Sequence, residues 1–235
     1  MKVKAIKTRI FKEGEDLVAF IQKHIPKLKE GAVLAIASKI VALSERRVVR
    51  VSNKKAKEAL IRAESEWQEK VLPEWWLTVR DGTVVVNAGI DDSNADGNSI
   101  LLPQDSFIAA ENIRRELKKI FRVKKLGIVV TDSRVAPLRA GVTGVALGYA
   151  GFKGVRDYRG KKDIFGRKMA VTQTNVADSL ATAATLVMGE GNERQPLCVI
   201  EDAPVEWTER VDRKETQISL KNDMYRSLFK RNKKR

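Results

Sequence analysis

The pattern of hydrophobic and polar positions predicts strands and helices in irregular alternation. A segment of alternating character predicts a strand over 2–11 at the start of the chain. Apolar runs predict further strands over 32–37, 125–132, 142–151 and 197–202. Apolar residues at helical spacing predict helices over 13–25, 57–71, 106–121, 177–191 and 222–230. The apolar face of the helix over 177–191 is expected to run through Leu180, Ala183, Ala184 and Val187.

Turn residues refine this picture and set the fold class. Asp81 and Gly82 separate two apolar runs within 77–91, which is typical of a hairpin of antiparallel strands. Ser106 is expected to cap the helix that follows it, and Pro73 to close the helix over 57–71. An antiparallel hairpin among alternating strands and helices favours a mixed α/β fold of α+β character, with mixed sheets.

The chain is interpreted as one domain over residues 1–230, followed by a basic tail at 231–235. Neither an internal repeat nor a low-complexity linker divides it. No apolar run reaches the roughly 20 residues of a membrane span, and the N-terminus alternates instead of offering a signal-peptide core. These features predict a cytoplasmic protein.

The composition narrows the chemistry that the chain can carry. It contains one cysteine and one histidine. Cys198 lies in an apolar run and is interpreted as core filler, and His24 stands at a helix end just before a proline. Triad chemistry and sites of several Cys or His ligands are therefore poorly supported. A bound metal would have to be held by carboxylate and hydroxyl oxygens, which favours Mg²⁺ or Mn²⁺.

The net charge of +15 fits two classes of partner. One class is nucleic acid, and the other is acidic small molecules such as nucleotides and polycarboxylates. Much of the excess charge lies in the C-terminal sequence KRNKKR, which is interpreted as a solvated tail. Few aromatic residues interleave with the remaining basic residues, so the charge alone favours neither class.

The segment from Val129 to Glu190 is dense in Gly, Asp, Arg and Thr between its apolar runs, which points to a functional site. Three acidic groups stand where predicted elements end, with Asp132 and Ser133 expected just past a strand: Asp91-Asp92-Ser93-Asn94, Asp132-Ser133 and Glu190. Their oxygens could converge on one divalent cation. The alternative is that they are helix caps and turn residues, which Asp, Ser and Asn also favour.

Five basic residues are candidates for binding phosphate or carboxylate: Lys39, Arg139, Arg156, Arg159 and Arg167. A guanidinium binds either group through paired hydrogen bonds. The alternative for each of them is a solvated surface cation. There is no Walker loop, and no GxGxxG follows a strand, so a nucleotide site here must use another architecture.

Longer motifs connect these candidates to a known family. The sequences NAGIDDSN, TDS with GVTGVALGYAG, DYRGKKDIFGR and VADSLATAATLVMGEGNE resemble the coenzyme F-420-0:L-glutamate gamma-ligase family. The resemblance runs from about Lys4 to Phe229 and keeps the motifs in the family's order. The longest of these motifs are too specific for chance.

The resemblance implies a mixed α/β fold that assembles as an intertwined homodimer, with GTP and Mg²⁺ or Mn²⁺ bound near the interface. It also implies a ligase that adds L-glutamate through a gamma-linkage to a deazaflavin carrying a lactyl phosphodiester. In the expected mechanism the acceptor carboxylate takes the γ-phosphoryl group of GTP, and the amine of glutamate attacks the resulting acyl phosphate. Such chemistry needs charge neutralisation on the phosphates more than a protein nucleophile.

The resemblance also assigns roles to residues. The metal-binding positions are occupied by Asp91, Asp132, Ser133 and Glu190, with Ser133 standing where the family usually has Thr. The nucleotide is expected to contact a set drawn from four segments: Ser38, Lys39, Asn94, Arg159, Met188, Gly189, Glu190, Gly191 and Asn192. The whole segment from Met188 to Gln195 corresponds to the family's second nucleotide loop. Asp132 and Arg139 are the expected catalytic residues.

Three departures from the family pattern bear on specificity. Leu43 stands where the family carries a lysine near the nucleotide, and Thr8-Arg9-Ile10-Phe11 replaces a GLP-x-I segment. These changes leave GTP and ATP as alternatives. The family's GRPWR-like stretch becomes VAPLR, which keeps only Pro137 and Arg139 and leaves the acceptor open between the deazaflavin and another acidic cofactor such as a folate. A non-catalytic nucleotide-binding relative and a nucleic-acid-binding protein are the remaining alternatives.

Overall fold

The computed structural model describes residues 1–229, and the basic tail lies outside this range. Its strands are β1 (Lys2–Ile6), β2 (Ala32–Ala37), β3 (Val48–Val49), β4 (Trp67–Leu72), β5 (Trp75–Arg80), β6 (Thr83–Val86), β7 (Ser99–Ile100), β8 (Leu126–Val135), β9 (Val142–Ala150), β10 (Val155–Asp157), β11 (Gln173–Asn175) and β12 (Leu197–Glu201). Its α-helices are α1 (Leu17–His24), α2 (Ser38–Ser44), α3 (Lys54–Ala63), α4 (Ser106–Phe121) and α5 (Val176–Met188). Within residues 1–229, none of the helices combines the length and apolar character needed to span a bilayer.

A five-stranded mixed sheet in the order β1-β12-β2-β8-β9 forms the centre of the protein. Strands β2 and β8 run parallel, and the other neighbours are antiparallel. The parallel pairing ends at Ala37 opposite Thr131, while β8 continues to Val135 against β9. The prediction of a mixed α/β fold with mixed sheets is therefore confirmed.

Helices cover both faces of this sheet because its inner strands are apolar on both sides. On β2, Leu34 and Ile36 pack with α1 and α4, whereas Val33 and Ala35 pack with α5. This is the period of two that a strand imposes on its side chains. Cys198 on β12 belongs to the α5 side, where burial raises the pKa of its thiol to about 11, so the prediction of core filler is confirmed.

The buried face of α5 differs by one position from the predicted one. Leu180 and Ala184 are buried as expected, but Ala177, Ala181 and Met188 complete the face, while Ala183 is only half-buried and Val187 is exposed. The reason is close packing of α5 on β9. A Cβ at Gly144 would lie 2.5 Å from the carbonyl oxygen of Ala181, so only glycine on the strand and a small residue on the helix fit.

The helix predicted over 57–71 and the cap predicted for α4 are both corrected by the structure. The helix predicted over 57–71 begins earlier, after the capping residue Asn53, and ends at Ala63, and the residues from Trp67 form β4 instead. Pairing with β5, which no local pattern encodes, outweighs the helical spacing there. The cap of α4 is Asp105, whose carboxylate accepts from Ile108 N at 2.8 Å, and Ser106 is the first helical residue.

The predicted hairpin forms as β5 and β6, which join β4 in a separate three-stranded sheet. A carboxylate shared by two arginines ties this sheet to the rest of the protein. Glu64 accepts from Arg47 at 2.6 Å and also from Arg80, and Arg47 Nε donates to the carbonyl of Leu102 at 3.1 Å. All three charged side chains are largely buried.

The residues after β12 form a C-terminal strap, residues 205–217, across the central sheet and the hairpin. Trp207 bridges to Phe152 beside β9, and Tyr149 donates its hydroxyl proton to Glu215 at 2.7 Å. Gln217 Nε2 then donates to the carbonyl of Asp81 in the hairpin turn at 3.2 Å. Beyond the strap, the predicted helix over 222–230 is replaced by two short 3-10 turns, Leu220–Asn222 and Arg226–Phe229, and Lys230 lies outside the described residues.

Candidate functional site

A cavity of about 980 Å³ opens where β2 gives way to α2 and β8 continues past it. Its wall draws on the exit of β1, the start of α2, the loop before β7, the middle of β8 and the segment that follows α5. Most of the residues assigned by resemblance lie on this wall: Ser38, Lys39, Asp91, Asn94, Asp132, Ser133, Met188, Gly189, Glu190, Gly191 and Asn192. The fold thus brings together residues that lie up to 154 positions apart in the chain, from Ser38 to Asn192.

Asp132 lies inside a strand, which corrects the expectation that it follows one. It pairs with Val145 on β9, and β8 ends only at Val135. Because β2 leaves the sheet at Ala37, the other edge of β8 is unpaired at Asp132 and faces the cavity. Ser38, the first residue of α2, donates its hydroxyl proton to Asp132 Oδ1 at 3.4 Å.

Protein atoms surround the carboxyl group of Asp132, although the residue as a whole is only partly buried because it faces the cavity. Burial raises the pKa of this carboxyl from 3.8 to about 7, and the negative charges of Asp91 and Glu190 act in the same direction. Hydrogen bonds from the backbone N–H of Ser133 and the hydroxyl of Ser38 oppose the rise. The site therefore concentrates negative charge around one poorly solvated carboxylate.

Lys39 offsets part of that charge. Its Nζ lies 2.8 Å from Asp91 Oδ2 and donates to the carbonyl of Ser93 at 2.8 Å. Burial opposes ionisation of Asp91, but hydrogen bonds from Lys39 and Ser93 outweigh it and lower the pKa of the carboxyl. Asp91 is thus held ionised near a carboxyl group whose pKa lies at about 7.

The segment after α5 completes the wall. Gly189 ends the helix with a φ of 81°, a left-handed value that favours glycine. Ser133 donates its hydroxyl proton to Glu190 Oε1 at 2.6 Å, and Asn94 Nδ2 donates to the carbonyl of Gly191 at 3.3 Å. These two bonds join β8 and the loop before β7 to the end of α5.

Each of the three acidic side chains on the cavity wall is bonded to a hydroxyl or an ammonium group. Within the part of the chain that the structure describes, no three Asp, Glu, His or Cys side chains form a ready-made metal cluster. Instead, each acid has its own partner: Ser38 donates to Asp132, Lys39 pairs with Asp91, and Ser133 donates to Glu190. The assignment of these residues as metal ligands remains a prediction.

Two predicted site residues lie away from the cavity. Arg139 is exposed in the turn between β8 and β9. Arg159 is exposed in the turn after β10, where its Nη2 lies 2.5 Å from Asp157 Oδ2. Within one chain neither arginine lines the cavity. Their roles also remain predictions.

The cavity wall includes residues that the sequence did not assign. Ile100, Leu101 and Leu102 provide apolar surface in this way. Glu193 and Arg194, which belong to the segment 188–195 assigned to the nucleotide by resemblance, add charge to the wall. Leu43 and the segment Thr8-Arg9-Ile10-Phe11, which depart from the family pattern, also line the cavity.

Known proteins resemble this chain over most of its length. The family model described as F420-0:Gamma-glutamyl ligase matches residues 5–202. The chain is similar to the coenzyme F420:L-glutamate ligase of Archaeoglobus fulgidus, with 35% identity over 208 residues that cover 81% of this chain and 83% of the relative. The enzyme of the same description from Halorubrum lacusprofundi is 38% identical over 214 residues, 81% of this chain and 82% of the relative. The enzyme from Methanopyrus kandleri is 35% identical over 210 residues, with coverage of 81% and 82%. The chain belongs to the F420-0:gamma-glutamyl ligase family.

Proposed function

We propose that this protein is a nucleotide- and metal-dependent gamma-glutamyl ligase that joins L-glutamate to a carboxylate of coenzyme F-420-0. The observation that carries the proposal is the convergence of Asp91, Asp132, Ser133 and Glu190 with Lys39 on one cavity, in a chain that belongs to this family over most of its length. The described relatives are named as ligases of coenzyme F420 and L-glutamate.

The residues on the cavity wall fit a hard divalent cation. Three carboxylates and a hydroxyl supply oxygen ligands, which Mg²⁺ and Mn²⁺ prefer: Asp91, Asp132, Glu190 and Ser133. The raised pKa of Asp132 supports this assignment, because a cation would relieve the mutual repulsion of the carboxylates. When bound, such a cation neutralises charge on the phosphates of a nucleotide.

The nucleotide is assigned to the same cavity. Lys39 pairs with Asp91 in the free protein and is placed to bind phosphate oxygens. The remaining contacts with the nucleotide are assigned to other residues on the same wall: Ser38, Asn94 and residues 188–192. GTP is the expected co-substrate by resemblance, and ATP is the alternative, because Leu43 on the cavity wall departs from the family pattern.

The reaction proceeds in two displacement steps. An oxygen of the acceptor carboxylate attacks the γ-phosphorus, the bond to the bridging oxygen breaks, and a nucleoside diphosphate leaves behind an acyl phosphate. The amine nitrogen of L-glutamate then attacks the acyl carbon, phosphate leaves, and the nitrogen loses a proton as the amide forms. Lys39 contributes by charge at the phosphates, and the apolar wall at Ile100 and Leu101 limits access of water to the acyl phosphate.

A homodimer is part of this proposal, and the exposure of large apolar side chains near the two outlying arginines supports it. Leu138, beside Arg139, is fully exposed, and Ile164 and Phe165, which follow Arg159, are 92% and 85% exposed. Burying each such side chain against a second copy would contribute about 1.5–3 kcal/mol. An intertwined dimer would also bring Arg139 and Arg159 towards the cavity of the partner subunit. The cytoplasmic location stays a prediction made from the sequence.

The test is incorporation of labelled L-glutamate with Mn²⁺ and either GTP or ATP. Coenzyme F-420-0 and a reduced folate serve as parallel acceptors, and Asp132→Asn is the control for the cavity. A product one glutamate heavier on F-420-0 supports the proposal, and a product on folate alone moves the same chemistry to another acceptor. Tight nucleotide binding without product on either acceptor would indicate a non-catalytic relative, and would refute the proposal.

A further inference from the structure

The strand pair that carries Asp132 contains an irregularity directly beside this residue. The register of β8 on β9 shifts between Val130 and Thr131. Thr131 pairs with Ala146, and Leu147 is left as an extra residue on β9. Such an extra residue is a β-bulge, and bulges beside active sites bend a strand and redirect its side chains. This bulge lies where the buried part of β8 gives way to the cavity.

A carboxylate on α5 is bonded to the bulge. Asp178 Oδ1 accepts from the backbone N–H of Ala146 at 3.0 Å, and its Oδ2 accepts from Arg134 Nη2 at 3.1 Å. The backbone N–H of Asp178 in turn donates to Asn175 Oδ1 at 2.9 Å, which holds the residue in the first turn of α5. The side chain of Asp178 is only 18% exposed. One carboxylate therefore connects α5, β8 and β9 at the bulge.

Two further hydrogen bonds align α5 with the same stretch of the two strands. Thr182, one turn after Asp178, donates its hydroxyl proton to the carbonyl of Gly144 at 2.8 Å. Gly144 is the partner of Ser133 in the β8–β9 pair, and Ser133 bonds to Glu190 beyond the other end of α5. Since β2 has left the sheet before this point, the strand pairing that holds β8 here comes from β9. The position of β9 under α5 thus determines how β8 is presented to the cavity.

We propose that Asp178 is a positioning residue of the ligase. It fixes the bulge of β9, and through the bulge it fixes the direction in which β8 presents Asp132 and Ser133 to the cavity. This inference rests on the proposed function for the ligand of these two residues, a divalent cation. Asp178 is not among the residues on the cavity wall, so it acts through the backbone and not by contact with the cation. Replacing a group that orients a metal ligand typically weakens metal binding about tenfold to a hundredfold.

Three substitutions separate the bond to the bulge from the ion pair. Asp178→Ala removes both contacts of the carboxylate. Asp178→Asn keeps an oxygen that can accept from Ala146 N, and Arg134→Met removes the ion pair alone. The affinity for Mn²⁺, measured from the paramagnetic resonance signal of the free ion, is expected to fall about tenfold to a hundredfold in Asp178→Ala. It should stay within about twofold of the wild type in the other two variants, because an ion pair to a part-exposed arginine contributes little.

Glu30→Ala is the matched control, because Glu30 also holds backbone through its carboxylate, but at the opposite end of β8. It accepts from the backbone N–H groups of Lys124 and Lys125 at 2.8 and 2.6 Å, just before the strand begins. Its loss should lower the midpoint of denaturant unfolding and leave the affinity for Mn²⁺ unchanged. Wild-type affinity in Asp178→Ala would overturn the inference. A loss as large in Asp178→Asn, Arg134→Met or Glu30→Ala would overturn it too.

Amide hydrogen exchange in a chelator tests the positioning without any ligand. In Asp178→Ala, peptides that cover 130–135 and 142–147 should exchange about tenfold faster than in the wild type, while β2 and β12 should be unchanged. In Glu30→Ala, faster exchange should be confined to the start of β8. Wild-type exchange beyond the bulge in Asp178→Ala would overturn the inference. A wild type that neither binds Mn²⁺ nor turns over would refute the proposed function, and the exchange rates would then decide the inference alone.

Discussion

Asp132→Asn is expected to stabilise the metal-free protein while abolishing turnover. The substitution keeps a side-chain oxygen that can accept from Ser38 and from the backbone N–H of Ser133, the two partners of Asp132. It removes a charge that burial and the neighbouring carboxylates of Asp91 and Glu190 make costly. A residue that served only as a structural cap would instead destabilise the fold when its charge was lost.

The size and sign of this change in stability follow from the raised pKa of the Asp132 carboxyl group. The rise from 3.8 to about 7 corresponds to about 4 kcal/mol, since each pH unit is worth about 1.4 kcal/mol. Water in the cavity screens part of this free energy, so we expect the substitution to stabilise the protein by about 2 kcal/mol. The folded state binds the proton more tightly than the unfolded state, so the stability of the wild type falls as pH rises from about 4 to about 7. Above pH 7 the variant should be the more stable protein, and the difference should vanish near pH 4.

The assay is denaturant unfolding in a chelator between pH 4 and pH 8.5, for both proteins. Addition of Mn²⁺ at pH 8 should then stabilise the wild type and leave Asp132→Asn nearly unchanged, because the carboxylate is a predicted ligand. A parallel pH dependence in the two proteins would show that Asp132 is ordinarily solvated. Equal stabilisation by Mn²⁺ would show that it does not bind the metal.

Three further predictions concern the nucleotide pocket and the packing of the fold. Leu43→Lys should strengthen GTP binding about tenfold in calorimetry, and no change would mean that another residue makes the family's contact. Glu64→Ala should lower the free energy of unfolding by about 3 kcal/mol, because it leaves two largely buried arginines without their carboxylate; a loss under 1 kcal/mol would contradict this. Gly148→Ala should lower the melting temperature by several degrees, since its Cβ would lie 2.5 Å from the carbonyl oxygen of Ser106; an unchanged value would show that α4 can shift.

The sequence predicts the elements of this fold better than their ends. The apolar run of β8 identifies the strand, but its continuation to Val135 depends on pairing with β9, which is not local. In the same way the helical spacing before Trp67 carries no sign that β5 will take the following residues into a sheet. The apolar residues of α5 allow more than one buried face, and the close approach of the helix to Gly144 brings Ala181 onto the face that is buried.

The sequence likewise predicts some residues of the candidate site and not others. Residues in long motifs, such as Asp132 and Glu190, reach one cavity as the resemblance implies. Arg159 comes from the long motif DYRGKKDIFGR and Arg139 from VAPLR, which departs from the family pattern, and one chain folds both onto exposed turns. A single sequence carries no pattern for contacts between two copies, so a role for either arginine in a dimer stays a proposal.

The C-terminal strap has a consequence for how the protein is made. A ribosome synthesises the strap after every strand of the central sheet. The hydrogen bond from the hydroxyl of Tyr149 to Glu215 can therefore form only after those strands have been made. Gln217, which reaches the turn of the hairpin, arrives later still. The connection that the strap makes between the central sheet and the hairpin turn therefore forms only near the end of translation. A chain that terminates before the strap keeps the earlier tie through Glu64 but lacks both hydrogen bonds of the strap.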